Sequence, residues 1–290
     1  HMRPNSHKVP FFNKTVNLKV GLNQLGLRNT SEALFTSLLP GLNNVSNRIR
    51  YYSFYCWLIG EFYKNKNSFT DKEFYKYIRY AEYLLALIHS RDKGVDGIPG
   101  ITFAINTRNK GVTVFDLQAG TYNSQGNTQK DTYWANAGGV LRQYYSSSLK
   151  DIAILKENNE KNSILNISKE DSLISGSLLA EAFAQNIGED GPKFLKIVQK
   201  GYVSSEELRS LESSFNMRKF PQKSNERELI IKLLLQKDYP ASESKFCYRR
   251  STIYHYLKFL SLDETKESFT RYMYESFLEG KSDDDCVLGW

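Results

Sequence analysis

Arginines and tyrosines keep close company in this chain. Arg48 and Arg50 lead directly into Tyr51 and Tyr52; Arg142 precedes Tyr144 and Tyr145; Arg249 and Arg250 follow Tyr248 and precede Tyr254 and Tyr256. Guanidinium and ammonium groups neutralise phosphates, and a tyrosine ring can stack on an unpaired base, so this pairing suits nucleic acid. The candidate phosphate contacts are Arg48, Arg50, Arg142, Lys150, Arg249 and Arg250, with Tyr144 and Tyr145 beside them. The same residues admit a packing role. "YYSFYCWLIG" (51–60) holds five aromatics and no charge, a composition that belongs in a core. We read Tyr51–Ile59 as a buried helix, with Arg48 and Arg50 tying its first turn to a neighbouring acid or to a ligand.

Other chemistry is thinly represented. His1, His7, His89 and His255 form no H-x-x-x-H pair and have no cysteine nearby, so no metal is expected. G-x-x-x-x-G-K-[ST] is absent, and the glycines of "DGIPGITF" and "AGGVLR" lack the strand-to-helix context of a phosphate loop. "SGS" at Ser175–Ser177 is not G-x-S-x-G. Cys56, in an apolar helix, reads as an inert core thiol. A metal-dependent nuclease needs carboxylates and a lysine on adjacent strands; Asp151 with Glu157, Glu160 and Lys161 is the nearest imitation, and its spacing is poor. No cofactor is expected.

The elements that must position these residues are mostly helical. Thr30 or Ser31 caps a first helix that ends at Pro40-Gly41. Asn44, Ser46 or Asn47 caps the aromatic helix, which is apolar all round and therefore buried between neighbours. Thr70 and Glu73 form a T-x-x-E capping box for a helix reaching about Ser90. Residues 1–27 alternate like a strand. Ile101, Phe103 and Ile105 alternate too, as do Val112 and Val114, and "TRNKG" between them suggests a small hairpin or a long ordered loop.

A helix over Tyr133–Tyr145, interrupted by Gly138-Gly139, is followed by a short helical run and by two short strands flanking "ENNEKN". A helix over Ser172–Ile187 completes what resembles a winged helix-turn-helix module. Beyond it, helices are expected in "GPKFLKIVQKGY", "SSEELRSLESSF" (with a Ser204–Glu207 capping box), "NERELIIKLLLQKD", "YRRSTIYHYLKFLSL" and "DETKESFTRYMYESFLEG". The fold class is therefore mainly α: an N-terminal helical domain (1–130), a winged-helix-like module (131–188) and a C-terminal helical region (189–290).

Bulk properties set wide bounds. The 290 residues carry a net charge of +7, which permits a polyanionic partner without requiring one. Cys56, Cys247 and Cys286 are too scattered for a disulfide framework, and no secretory start or 20-residue apolar run is present. The expectation is a cytoplasmic protein with no membrane partner. The abrupt end "SDDDCVLGW" suggests a piece of a longer chain.

"LGLRNTSEALFTSLLPGLNNVSNRIRYYSFYCWLI" (25–59) is similar to the opening of bacterial defence-island proteins carrying an LLPG-x-x-N-x-[ST]-x-R-x-R-Y-[YF]-[SA]-F-Y-x-W signature. "YYSSSLKDIAILK" and "LNISKEDSLISGSLLAEAF" resemble the winged-helix segment of such proteins. The resemblance implies a component of an antiphage system that works with other subunits, such as an ATPase or a nuclease. It names no active site. The expected function is a non-catalytic subunit that binds DNA, RNA or protein. The alternatives are a nuclease with its site in residues 94–161 and a scaffold that contacts only protein. The Glu157 and Glu160 of the wing tip, and Gly138-Gly139 inside the expected helix, depart from a DNA-reading winged helix.

Overall fold

The structure is a computed structural model; it describes residues 33, 35–43, 45–46, 48–65, 68–92, 96–158, 165–168, 174–235, 245–261 and 271. The expected strand-like arm (1–27), the caps Thr30 and Ser31, residues 159–162 of the expected turn "ENNEKN" and, apart from Arg271, the helix expected in "DETKESFTRYMYESFLEG" lie outside these residues.

Helix α1 (Arg50–Asn65) is the centre of the molecule. Every residue from Arg50 to Gly60 is buried, because aromatics point from each side of the helix into a different neighbour. Tyr51 and Tyr55 meet Tyr145 on one side, while Phe54 and Trp57 meet Phe183 and Phe194 on another. Burial leaves the Cys56 thiol with a strongly raised pKa, the inert state its apolar context predicts.

Helix α2 (Asp71–His89) begins at the expected capping box: Glu73 N donates to Thr70 Oγ1, and Thr70 N donates to Glu73 Oε2 at 2.8 Å. Its buried stripe carries two charges, Arg79 and Glu82. The next segment corrects the hairpin expected after Ile101: Ile101–Arg108 is a helix, α3. Three alternating apolar residues fit a helix as well as a strand, and the position buried here is Ala104. Strand β1 (Val114–Asp116) follows, and Asp116 caps the five-residue helix α4 (Leu117–Thr121).

The helix expected over Tyr133–Tyr145 is also corrected. Residues 122–138 form a long ordered loop, and the helical path starts only at Gly139. It passes through a π-helical turn (Leu141–Tyr145) into α5 (Ser146–Asp151). Strands β2 (Leu155–Glu157) and β3 (Leu165–Ile167) pair antiparallel, as the flanking runs suggest, and α6 (Gly176–Ile187) starts at the N-cap Ser175 and lies along α1.

Helix α7 (Asp190–Lys200) places Pro192 in its first turn. Strand β4 (Tyr202–Ser204) then pairs antiparallel with β1, setting buried Phe115 against buried Val203. The Ser204–Glu207 capping box opens α8 (Ser205–Leu211) as expected; α9 (Asn225–Leu234) and α10 (Lys245–Leu260) complete the described helices. The molecule is mainly helical. One hydrophobic cluster joins Phe54, Phe183, Phe194 and Phe215, so residues on both sides of 130 and 188 share it. Among the described residues no helix is long and apolar enough to cross a membrane.

Candidate nucleic-acid interface

Three of the eight predicted contact residues are withdrawn from any ligand by burial. Arg50 is 2% exposed: its Nε donates to Glu226 Oε1 at 3.2 Å, its Nη1 to the carbonyl of Asn216 at 2.6 Å, and its guanidinium lies 5.2 Å from the Phe183 ring centroid. Ser53 Oγ and Asn186 Nδ2 complete the shell around Glu226. The first turn of α1 is thus tied to an acid, which was one of the two readings of Arg50. Arg249 is fully buried; it donates to the carbonyls of Leu233 and Leu234, capping the C-terminal end of α9, and to Pro40 O at 2.8 Å. Tyr145 points inward among Tyr51, Tyr52 and Tyr55.

Arg48 pairs with Asp96, and Lys150 with Glu157 at 2.8 Å, so both cations are partly neutralised. Arg250 is exposed on α10. Among the described residues no group of three His, Cys, Asp or Glu side chains could hold a metal.

Arg142 and Tyr144 lie two residues apart on the π-helical turn, and two buried charges one turn apart on α2 position that turn. Glu82 accepts two donors on each carboxylate oxygen. Leu141 N (2.8 Å) and Tyr55 Oη (3.0 Å) reach Oε1; Val140 N (2.9 Å) and Tyr133 Oη reach Oε2. Burial pushes its carboxyl pKa up, and these four donors pull it back. Glu82 therefore caps the helix that carries Arg142 from a different element. Arg79 holds the loop before that helix by donating to the carbonyls of Thr121 (2.6 Å), Trp134 (3.0 Å) and Asn136.

Gly138-Gly139 now has a physical account. Gly139 has φ +72°, and a Cβ there would lie 2.4 Å from Glu82 Oε2. A Cβ on Gly138 would lie 2.6 Å from Arg142 Cβ. The glycines let the chain cross the buried carboxylate and turn into the helix.

The outcome is a basic and aromatic face. The Arg142 guanidinium sits 5.6 Å from the Tyr75 ring centroid. Lys72, Tyr75 and Lys76 share one face of α2, being three and four residues apart. Tyr144 and Trp134, both partly exposed, meet edge to face at 5.4 Å. Lys72 and Lys76 then line an open depression of about 800 Å³ together with Gln118, Tyr122, Asn123 and Asp131. Asp131 has φ +57°, a costly conformation for a residue with a side chain. Asn123 Oδ1 accepts from Gln125 N and Asn127 N, which leaves its amide N–H groups as the donors available to a ligand. Among the described residues Lys72, Lys76 and Arg142 form no ion pair, and none of the three is nine-tenths buried.

Of this face, the sequence reading named Arg142 and Tyr144 as candidates and did not name Lys72, Tyr75, Lys76, Tyr122 or Trp134. The K-x-x-Y-K spacing in "KEFYKY" was the available signal. No protein-family description, curated protein or solved structure matches this chain.

Proposed function

We propose that the chain is a non-catalytic binding subunit of a bacterial antiphage defence system, and that it holds single-stranded nucleic acid across the Lys72–Tyr75–Lys76–Arg142 face. The observation that carries this reading is the company Arg142 keeps: its guanidinium lies over Tyr75, on the α2 face that carries Lys72 and Lys76, two lysines without ion-pair partners among the described residues. Cations that track a backbone and rings that can stack on bases are the two parts such binding needs. The defence setting is supported only by the resemblance of residues 25–59, which also implies an ATPase or a nuclease as a partner.

The test is fluorescence anisotropy with labelled single- and double-stranded DNA and RNA at about 50 and 200 mM salt, where phosphate contacts reveal themselves. Affinity should fall steeply with salt. Arg142→Ala and Lys76→Ala should each weaken binding and lower the salt slope by about 1. No binding at low salt would overturn the reading.

The β2–β3 hairpin followed by α6 supports the winged-helix-like reading of residues 131–188, with a different use. Glu157 at its end neutralises Lys150, so this wing suits contact with a protein subunit rather than with phosphate. Co-purification with genomic neighbours, lost on reversing the charge of Glu157, is the corresponding test.

A further inference from the structure

At the far end of α2, about 20 Å along the helix from Lys76, a second set of cations gathers. Ser90 follows the helix; its Oγ donates to Leu87 O at 2.7 Å and accepts from Arg108 Nη1 at 2.7 Å. The last residue of α3 is thereby held against the residue preceding Arg91. Arg91 Nη1 reaches Glu212 Oε1 at 3.5 Å, a long contact between two side chains each more than a third exposed. Glu212 follows α8, and its N–H donates to Arg209 O, so Arg209 lies one turn away on the same element. The ends of α2, α3 and α8 thus bring Arg91, Arg108 and Arg209 to one region around Glu212, which Arg91 alone contacts. Arg108 and Arg209 form no ion pair among the described residues. Burial lowers the Arg108 pKa most, and Arg91 and Arg209 lower it further against the opposing pull of Glu212.

Such a cluster costs stability unless something answers its charge. Three positive groups against one negative leave a surplus of two, the charge of a phosphate monoester dianion. Arginine forks also match phosphate oxygens in geometry. We infer that Arg91, Arg108 and Arg209 form a binding site for a phosphate monoester. The site is separate from the Lys72–Arg142 face and does not rest on its assignment.

The test is thermal unfolding titrated with sodium phosphate, against sodium chloride at matched ionic strength. The purified chain should show a saturable rise in Tm with phosphate beyond that in chloride. Arg209 is exposed, so Arg209→Ala should fold; its midpoint phosphate concentration should rise about tenfold, the loss of one charge-assisted contact. Arg108→Gln should do the same, while Lys232→Ala, at an exposed position on α9 outside both sites, should leave the midpoint unchanged. A chloride response equal to the phosphate response, or a wild-type midpoint in Arg209→Ala, would overturn the site. A 5′-phosphorylated oligonucleotide and its 5′-hydroxyl twin then separate two sources of the same group. A lower midpoint for the phosphorylated strand assigns a nucleic-acid end, and equal midpoints assign a small free phosphate ester.

Discussion

Two buried arginines, Arg50 and Arg79, do opposite jobs. Arg50 meets its acid: Glu226 comes from α9, and the pair joins two helices far apart in sequence. Arg79 and Glu82 sit one turn apart on α2 and spend themselves on backbone instead, the arginine on three carbonyls and the acid on two N–H groups and two phenols. The first arrangement fastens regular elements whose own hydrogen bonds are already made. The second supplies hydrogen bonds to a stretch, 121–141, that has few of its own, which is how a long loop can be ordered enough to carry a site.

The sharpest way to break this comparison is to remove one half of each node. Arg50→Ala leaves Glu226 buried without its counter-charge and should cost about 3–5 kcal/mol in global unfolding by denaturant. Truncating the neighbouring Trp57 to Ala, packed on Phe183, Phe194 and Phe215, should cost a similar amount, about 3–5 kcal/mol. The double change Arg50→Met with Glu226→Leu should recover most of the loss, since an apolar pair of similar volume can replace a buried ion pair. If the double variant is no better than Arg50→Ala, the contacts to Asn216 and Lys219 matter more than the pairing.

The Arg79 node should respond differently. Arg79→Met leaves three carbonyls short of a donor, at about 1–3 kcal/mol for each group that water cannot reach. The damage should appear first in 122–138: hydrogen exchange there should speed up while α1 stays protected. Nucleic-acid affinity should fall with it, although Arg79 itself is buried. Uniform loss of protection across α1 and the loop would mean the two nodes belong to one cooperative unit. A smaller effect is expected for Gly139→Ala. The change puts a Cβ into Glu82 and strains a positive φ, costing on the order of 1–3 kcal/mol.

The same contrast explains what could be read from the chain beforehand. Capping boxes at Thr70 and Ser204 rest on residues three apart, so local chemistry decides them. The all-round apolar composition of 51–60 likewise announces a central helix. The pairing of β1 with β4 brings together residues 116 and 202 through no local signal, and Glu82 capping a helix 58 residues later has none either. Arg50 shows the limit most clearly: its neighbours in sequence are the same whether its partner is a phosphate or Glu226, and only the fold chooses. Lys72, Tyr75 and Lys76 were readable as a helix face; that Arg142 lands on Tyr75 was not.

The smallest effect tests the loop that Arg50 also holds. His89 Nδ1 donates to Asp92 Oδ2 at 3.0 Å, and Nε2 accepts from Met217 N at 3.1 Å, one residue past the Asn216 carbonyl that Arg50 binds. This arrangement requires the neutral ring. Burial lowers the His89 pKa, and Arg218 lowers it further, against the opposing pull of Asp92 and the Phe215 carbonyl. The folded state therefore binds its proton less readily than the unfolded chain. The stabilisation is full above the ordinary histidine value of about 6.5 and is lost as pH falls from there through the lowered folded value. Protonation would turn Nε2 towards the Phe215 carbonyl, 3.1 Å away, and strand the Met217 N–H. Denaturant unfolding from pH 7.5 down to 5 should show this decline, and His89→Gln, which can keep one acceptor, should flatten it. Arg50→Met with Glu226→Leu should leave the decline in place, because that loop has two independent fastenings; if the pH dependence vanishes with the ion pair, the loop has only one.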